Sequence, residues 1–352
     1  MSLQGVPMTK RMSLIGFQLT ALLTALFIFL TVVNPASAQV ESFGKYLDDL
    51  PTESRPANYR SILDATKHYK VENDRAHCTL QFVSNHGHAL TARHCFLAEI
   101  RTQDDFMIKA NIEGTSVYKF DSNKMKAHKF GISITTFPEV PKEQGVSPVA
   151  VRSYQYENSK EDFIQAKVVA VGEISYNDPT ISHNSFKTLK KIDGGYFSDF
   201  ILLKFPVQSN FCVETDTPNH GESIFTVSFP NRHIKNIADR RSVTRGQITG
   251  KIEKGSDTSS SLLEGINQLA KEAEGKILFH SALTGPGASG GGVYNNSGKL
   301  IGINLAGILN RSTEKEYLPG SYNALSIIQI KSLLKKSLSD SEISEAFDCR
   351  SR

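Results

Sequence analysis

Gly285-Pro286-Gly287-Ala288-Ser289-Gly290-Gly291-Gly292 is the stretch that decides the fold, because no histidine follows it. A serine set among glycines is a candidate nucleophile, and the order of its partners along the chain tells which kind. The residues also fit the G-x-S-x-G elbow of α/β-hydrolases, but that fold takes its base histidine from beyond the serine. Here the last of the ten histidines is His280, so the base must come from upstream. Leu90-Thr91-Ala92-Arg93-His94-Cys95 is the upstream segment that suits it.

Working outward, the apolar runs are short and broken by Gly, Asn, Asp and Pro, which predicts an all-β chain. Residues 77–82 and 89–91 read as two strands around a Ser84-Asn85-His86-Gly87 turn. Residues 167–174 (with Gly172 as a bulge), 200–205, 222–229, 246–252, 291–294 and 299–305 read as further strands. Asn295-Asn296-Ser297-Gly298 is the turn between the last two. Helical spacing of apolar residues appears over 257–274, read as a surface insertion, and over 325–334, where Lys335 and Lys336 suit a helix C-terminus. Residues 101–195 give no secure assignment.

The chain has 352 residues. Lys10 and Arg11, an apolar run over 14–33 and Ala36-Ser37-Ala38 predict a secretory signal over 1–38, cleaved before Gln39. An uncleaved anchor is the other reading, since about 20 apolar residues can span a bilayer. The remainder suffices for one large domain or two packed small barrels. A net charge of +4 with interspersed lysines and acids gives no nucleic-acid footprint. Four cysteines in an exported chain suggest two disulfides, with three connectivities open. Cys78 with Cys95 is favoured because the sequence between them reads as a hairpin, which leaves Cys212 with Cys349. His86-Gly87-His88 reads as a hairpin tip with two exposed imidazoles; no neighbouring carboxylate or cysteine completes a metal site.

Thr91-Ala92-Arg93-His94-Cys95, Ser198-Asp199-Phe200-Ile201-Leu202-Leu203-Lys204 and Gly287-Ala288-Ser289-Gly290-Gly291 together resemble the chymotrypsin/trypsin-like serine peptidases. The His–Asp–Ser order is that family's. Phe229-Pro230 and the segment from Thr244 to Gly250 are more similar to its bacterial glutamyl-endopeptidase branch. The resemblance covers about residues 76–337. It implies two packed six-stranded antiparallel β-barrels with a C-terminal helix, divided near 206–221, between an N-terminal extension or propeptide over 39–75 and a tail over 338–352. It implies His94 as base, Asp199 as its orienting acid, Ser289 as nucleophile, and the N–H groups of Gly287 and Ser289 as the oxyanion hole. Asp104, Asp105 and Asp121 are the fallback acids. No cofactor is implied.

Three departures matter. Ala288 stands where the family carries the acid that a freshly cut N-terminus buries against, so activation by that ion pair is not expected. Arg93 replaces a small residue beside His94 and is expected to point to solvent or to pair with an acid. Leu283 occupies the expected pocket base, with Thr284, Asn304, Leu305, Ala306 and Gly307 as candidate walls. That set predicts a neutral pocket for apolar or small uncharged side chains. Thr284 and Asn304 are alternatively carboxylate ligands, although the histidine that the glutamyl branch often uses is missing near 304.

These readings lead to an exported serine endopeptidase, secreted or periplasmic, acting on proteins or peptides. No nucleic-acid partner and no membrane contact after signal cleavage are expected, and the chain is read as a monomer. The alternatives are a latent or inactive peptidase-fold binding protein and an esterase-like hydrolase of the same fold.

Overall fold

The hairpin around residues 84–87 forms part of the first barrel. A computed structural model of the chain describes residues 50–72, 77–96, 107–112, 115–120, 122–126, 128–136, 160–172, 175–177, 198–206, 213–230, 241–249, 275–306 and 322–349. Strands β2 (His77–Phe82) and β3 (His88–Thr91) pair antiparallel, Gln81 opposite Leu90 and Phe82 opposite Ala89. Strand β1 (Thr66–Val71) lies outside β2, and β6 (Lys129–Thr136), β7 (Lys160–Val171) and β9 (Ile201–Lys204) complete the ring. The order β1-β2-β3-β9-β7-β6 is closed, so no backbone edge is left unpaired. A separate three-stranded sheet holds β4 (Met107–Ile112), β5 (Thr115–Phe120) and β8 (Ser175–Asn177). Inward residues such as Leu80, Phe130, Ile132, Val168 and Leu203 fill the barrel. Phe96 packs between Tyr69 and Phe130, ring centroids 5.7 and 5.0 Å away. Each such buried side chain stabilises the fold by about 1.5–3 kcal/mol.

The second barrel closes in the order β10-β11-β12-β15-β14-β13. Its strands are β10 (Ser223–Ser228), β11 (Ser242–Thr249), β12 (Ile277–His280), β13 (Gly292–Asn295), β14 (Leu300–Ala306) and β15 (Tyr322–Ser326). The expected two-barrel architecture is therefore present. The C-terminal helix spans Ile327–Leu334 and not 325–334, because Leu325 belongs to β15 and Ser326 caps the helix by accepting from the Gln329 N–H.

Other expectations need correction. The bulge in β7 lies between Val168 and Ala170 and not at Gly172. Gly172 is instead a close-approach site, where a Cβ would collide with the Ser198 carbonyl. His88 is not an exposed tip residue. It is buried on β3, with Nδ1 2.9 Å from the Ser84 hydroxyl. The region expected as a plain tail over 338–352 contains a helix, Asp340–Ala346, with a Ser339/Glu342 capping box. The expected helical insertion over 257–274 and the signal over 1–38 lie outside the described residues.

The barrel also starts earlier than residue 76. Within the supposed extension over 39–75, β1 pairs with both β2 and β6, and a helix (Tyr59–Ala65) precedes it. Residues 50–65 lie against the second barrel: Tyr59 packs on Phe225 at 6.3 Å, Asn58 Nδ2 donates to Gly298 O at 2.9 Å, and Arg241 donates to Leu63 O at 3.1 Å. The chain then crosses into the first barrel as β1. Cutting the chain near 75 would take out barrel strand β1.

Candidate active site

Strand register explains why His94 and Asp199 meet. Thr91 pairs with Ile201 at the end of the β3–β9 ladder. His94 lies just beyond Thr91 on a 3₁₀ turn (Arg93–Phe96), and Asp199 lies just before Ile201, so both emerge at one rim. Asp199 grips His94 twice: the His94 backbone N–H donates to Oδ1 at 2.9 Å, and Nδ1 lies 2.7 Å from Oδ2. Burial disfavours the Asp199 carboxylate, but the charge and hydrogen bonds of His94, helped by Arg93, hold its pKa down at about 2. An ionised Asp199 fixes the Nδ1–H tautomer, leaving Nε2 as an acceptor. The Cys78–Cys95 disulfide ties this turn to β2. Cys349 is also disulfide-bonded, and its expected partner Cys212 lies outside the described residues.

Ser289 arrives from the second barrel, on the loop between β12 and β13. Its Oγ lies 2.8 Å from His94 Nε2 and 2.9 Å from Leu305 O. The one hydroxyl proton thus has two acceptors within reach, and donation to Nε2 is the arrangement that activates the oxygen. Gly287 and Gly290 have φ of 85° and 84°, which disfavours other residues there. A Cβ at Gly290 would also strike Thr79 O and Thr91 Oγ1. Among the described residues, no acceptor takes the N–H of Gly287 or Ser289.

Sequence reasoning missed Thr79. It is fully buried on β2, and all its polar groups serve this loop or its surroundings. Its N–H donates to Ser289 O and its hydroxyl to Gly287 O, both at 2.9 Å. The hydroxyl oxygen accepts the Phe229 N–H at 2.9 Å. Thr79 O accepts from Thr91 Oγ1 at 2.7 Å, and the Tyr69 hydroxyl lies 3.0 Å from the same Thr91 oxygen. The two candidate oxyanion donors thus have their carbonyls held from the other barrel. No motif marks Thr79 beyond its place next to Cys78.

Arg93 does not point to solvent. It is buried, and Nη1 donates to Gly172 O and Ser198 O, both at 2.6 Å. The alternative expectation, pairing with an acid, is met at Asp199, where Nε lies 3.9 Å from Oδ1. The guanidinium joins the end of β7 to the turn that carries the acid.

Around the expected pocket, Leu283 is half-buried and its carbonyl accepts from Thr244 Oγ1 at 2.7 Å; Thr284 is buried. The Asn304 backbone exchanges two 2.7 Å hydrogen bonds with Gly290 and Gly291, next to the nucleophile, and Leu305 O reaches the Ser289 hydroxyl. Gly307 and the Ala306 side chain lie outside the described residues. A histidine from β12 does reach this residue: His280 Nε2 lies 3.2 Å from Asn304 Oδ1. Its ring stacks near Tyr322 at 6.1 Å, and burial pushes its pKa down to about 4, so it is neutral near pH 7. Among the described residues, no hydrogen-bond acceptor meets the buried Asn304 Nδ2. An unmet buried donor costs about 1–3 kcal/mol. Among the described residues, Leu283, Thr284, Asn304 and His280 carry no charge here, and their groups are more hydrogen-bonding than Leu283 alone implies. Among the described residues there is no group of metal-ligating side chains, and no helix is long and apolar enough to cross a membrane.

The pattern of the trypsin-like peptidase domain matches residues 78–303, more than half of the chain. No curated protein sequence matches it. Among solved structures, a serine endoprotease from Yersinia pestis is 15% identical, with 83% of this chain and 69% of that one covered, at a TM-score of 0.41. The Rv3671c protease of M. tuberculosis is 11% identical over 82% of this chain and 96% of that one, at 0.40. The HtrA-type protease AlgW is 14% identical over 80% and 63%, also at 0.40. At these identities and scores the likeness is weak.

Proposed function

This chain belongs to the trypsin-like peptidase domain family, and we propose that it is an exported serine endopeptidase working through an acyl-enzyme. The observation that carries the proposal is the unbroken line from Ser289 Oγ through His94 to Asp199, at 2.8 and 2.7 Å. His94 takes the hydroxyl proton at Nε2 as Ser289 attacks a substrate carbonyl, then delivers it to the leaving amine. Asp199 holds the tautomer and stabilises the imidazolium. The N–H groups of Gly287 and Ser289 receive the oxyanion; one such donor is worth about 3 kcal/mol. Water then repeats the sequence on the ester.

Export to a secreted or periplasmic site rests on the leader over 1–38, and the Cys78–Cys95 disulfide suits an oxidising compartment. The mature protein is taken to be a monomer free of the membrane. Ala288 leaves no acid for activation by a new N-terminus, so the enzyme is active as exported or restrained by residues before β1. Phe229-Pro230 and Thr244 to Gly250 favour the glutamyl-endopeptidase branch. His280 beside Asn304 favours a substrate side chain that accepts hydrogen bonds, a carboxylate or a carboxamide, over a purely apolar one.

The test is a fluorophosphonate probe on the wild type beside Ser289→Ala. Labelling of the wild type only, with hydrolysis of a protein substrate lost by about 10⁶ in the variant, is the expected outcome. Absence of labelling in disulfide-bonded wild type would favour a latent or inactive binding protein. Labelling with turnover of small esters but not of proteins would favour the esterase reading.

A further inference from the structure

Three lysines stand side by side across the outside of the first barrel. Lys129 on β6 lies opposite Lys167 on β7, and Lys167 lies opposite Lys204 on β9. Neighbouring strands are about 4.8 Å apart, so the row crosses three strands in about 10 Å. Like charges placed directly opposite each other destabilise a sheet. Lysines often protect sheet edges, but a closed barrel has no edge to protect. Among the described residues, the ion pair made by this row is Lys204 with Glu345 at 3.5 Å; Lys129 and Lys167 have no carboxylate partner. The lysines line an open cavity of about 540 Å³, with the Gln165 amide among them and buried Phe205 beside them. Next in the row, opposite Lys204, is His88, which burial and the Lys204 charge keep neutral, with a pKa of about 4. The repulsion among the three lysines is thus unrelieved from within the row's own strands.

We propose that this groove is an exosite for an acidic segment of the protein substrate. The proposal rests on the peptidase reading above. Lys129 and Lys167, with Lys204 in line beside them and an amide donor among them, match about two carboxylates. The mild net charge of +4, with acids interspersed elsewhere, does not describe a groove that tracks a long polyanion. The groove also has a defined distance from the chemistry. Lys204 lies five residues along the chain from Asp199, about 17 Å at the rise of a strand. An extended substrate covers that in about five or six residues, so the acidic segment sits at least that far from the cleaved bond.

The experiment uses the full mature chain carrying Ser289→Ala, so that binding is read without turnover. Hexaglutamate bearing an uncharged dye is titrated by fluorescence anisotropy, with hexaglutamine as control. The expected result is binding of hexaglutamate only, weakening about tenfold from about 0.05 to about 0.3 M salt. Lys129→Gln/Lys167→Gln should weaken it about tenfold again, while Lys335→Gln/Lys336→Gln, which removes equal charge elsewhere, leaves it nearly unchanged. Equal weakening by the two double variants, equal binding of hexaglutamine, or no binding would each overturn the exosite. Binding of a sulfated oligosaccharide without hexaglutamate would overturn the assignment to a peptide. Failure of the peptidase reading is seen separately, as absent fluorophosphonate labelling of the wild type.

Discussion

Two sets of buried polar groups, one rooted in each barrel, are built differently. In the first, Gln81 Oε1 accepts from the hydroxyls of both Thr66 and Tyr294, and its amide donates to Phe82 O. Tyr69, Thr91 and Thr79 form a second hydrogen-bonded chain that ends on the nucleophile loop. In the second, the buried Asn304 amide donor is unmet among the described residues, and burial keeps the His280 ring beside it neutral. A fully satisfied network fixes one geometry, while a buried donor without a partner is a cost that a ligand can remove. The first barrel thus carries His94, Asp199 and the Thr79 hydrogen bonds to the Ser289 loop, the proposed base, acid and grip. The second carries Ser289, the proposed nucleophile, and the Asn304–His280 pair.

Asp199→Asn tests the first half of that contrast most severely. Its kcat should fall by about 10⁴ with KM little changed, measured by steady-state kinetics on a short peptide substrate. A loss confined to KM would place Asp199 in substrate binding and break the division between barrels. Next in size is the disulfide. Replacing Cys78 and Cys95 with serine removes a closure over 17 residues and should cost about 3 kcal/mol in a urea titration.

A loss of similar size is expected from acid at His280. Its pKa drops from 6.5 to about 4 on folding, so the folded chain binds fewer protons than the unfolded chain between those values. Stability from this group is full above pH 6.5 and declines by about 3 kcal/mol as pH falls to 4. Asp199 adds a later loss, since its depressed pKa gives stability that disappears only as pH falls from about 4 through about 2. His280→Gln, which does not titrate, should flatten the upper part of the curve. An unchanged curve would mean that His280 is not buried neutral.

The smallest effect sharpens the role of the grip. Thr79→Val keeps the shape but removes the hydroxyl that holds Gly287 O. It should lower kcat about tenfold with KM unchanged, and Thr79→Ser should restore it. Equal loss in both variants would mean that packing, and not the hydrogen bond, is what matters.

Local patterning made much of this legible. Strand β2 was readable at residues 77–82, and β3 to within one residue, because alternating apolar residues flank a turn with Gly87 at positive φ. His94 and Ser289 stand in dense local motifs. Strand β1 was not readable: Thr66–Val71 carries Lys67, His68 and Lys70, and only pairing on both sides makes it a strand. Strand β15 was hidden because its apolar residues run straight into the helix that follows Ser326. The helix at Asp340–Ala346 was missed although its Ser339-x-x-Glu342 box is present in the sequence.

By itself, the sequence determined the class of fold, the order His94, Asp199, Ser289, the favoured pairing of Cys78 with Cys95 and the absence of an acid at 288. Each is written within a few neighbouring residues or in simple order along the chain. Tertiary structure alone decided that Arg93 turns inward, that Thr79 holds Gly287 from the other barrel, that His280 reaches Asn304, and that three lysines line up on β6, β7 and β9. The reason is register. Strand pairing joins residues far apart in sequence, and a shift of one residue would send Thr79, His280 and the three lysines to the opposite face.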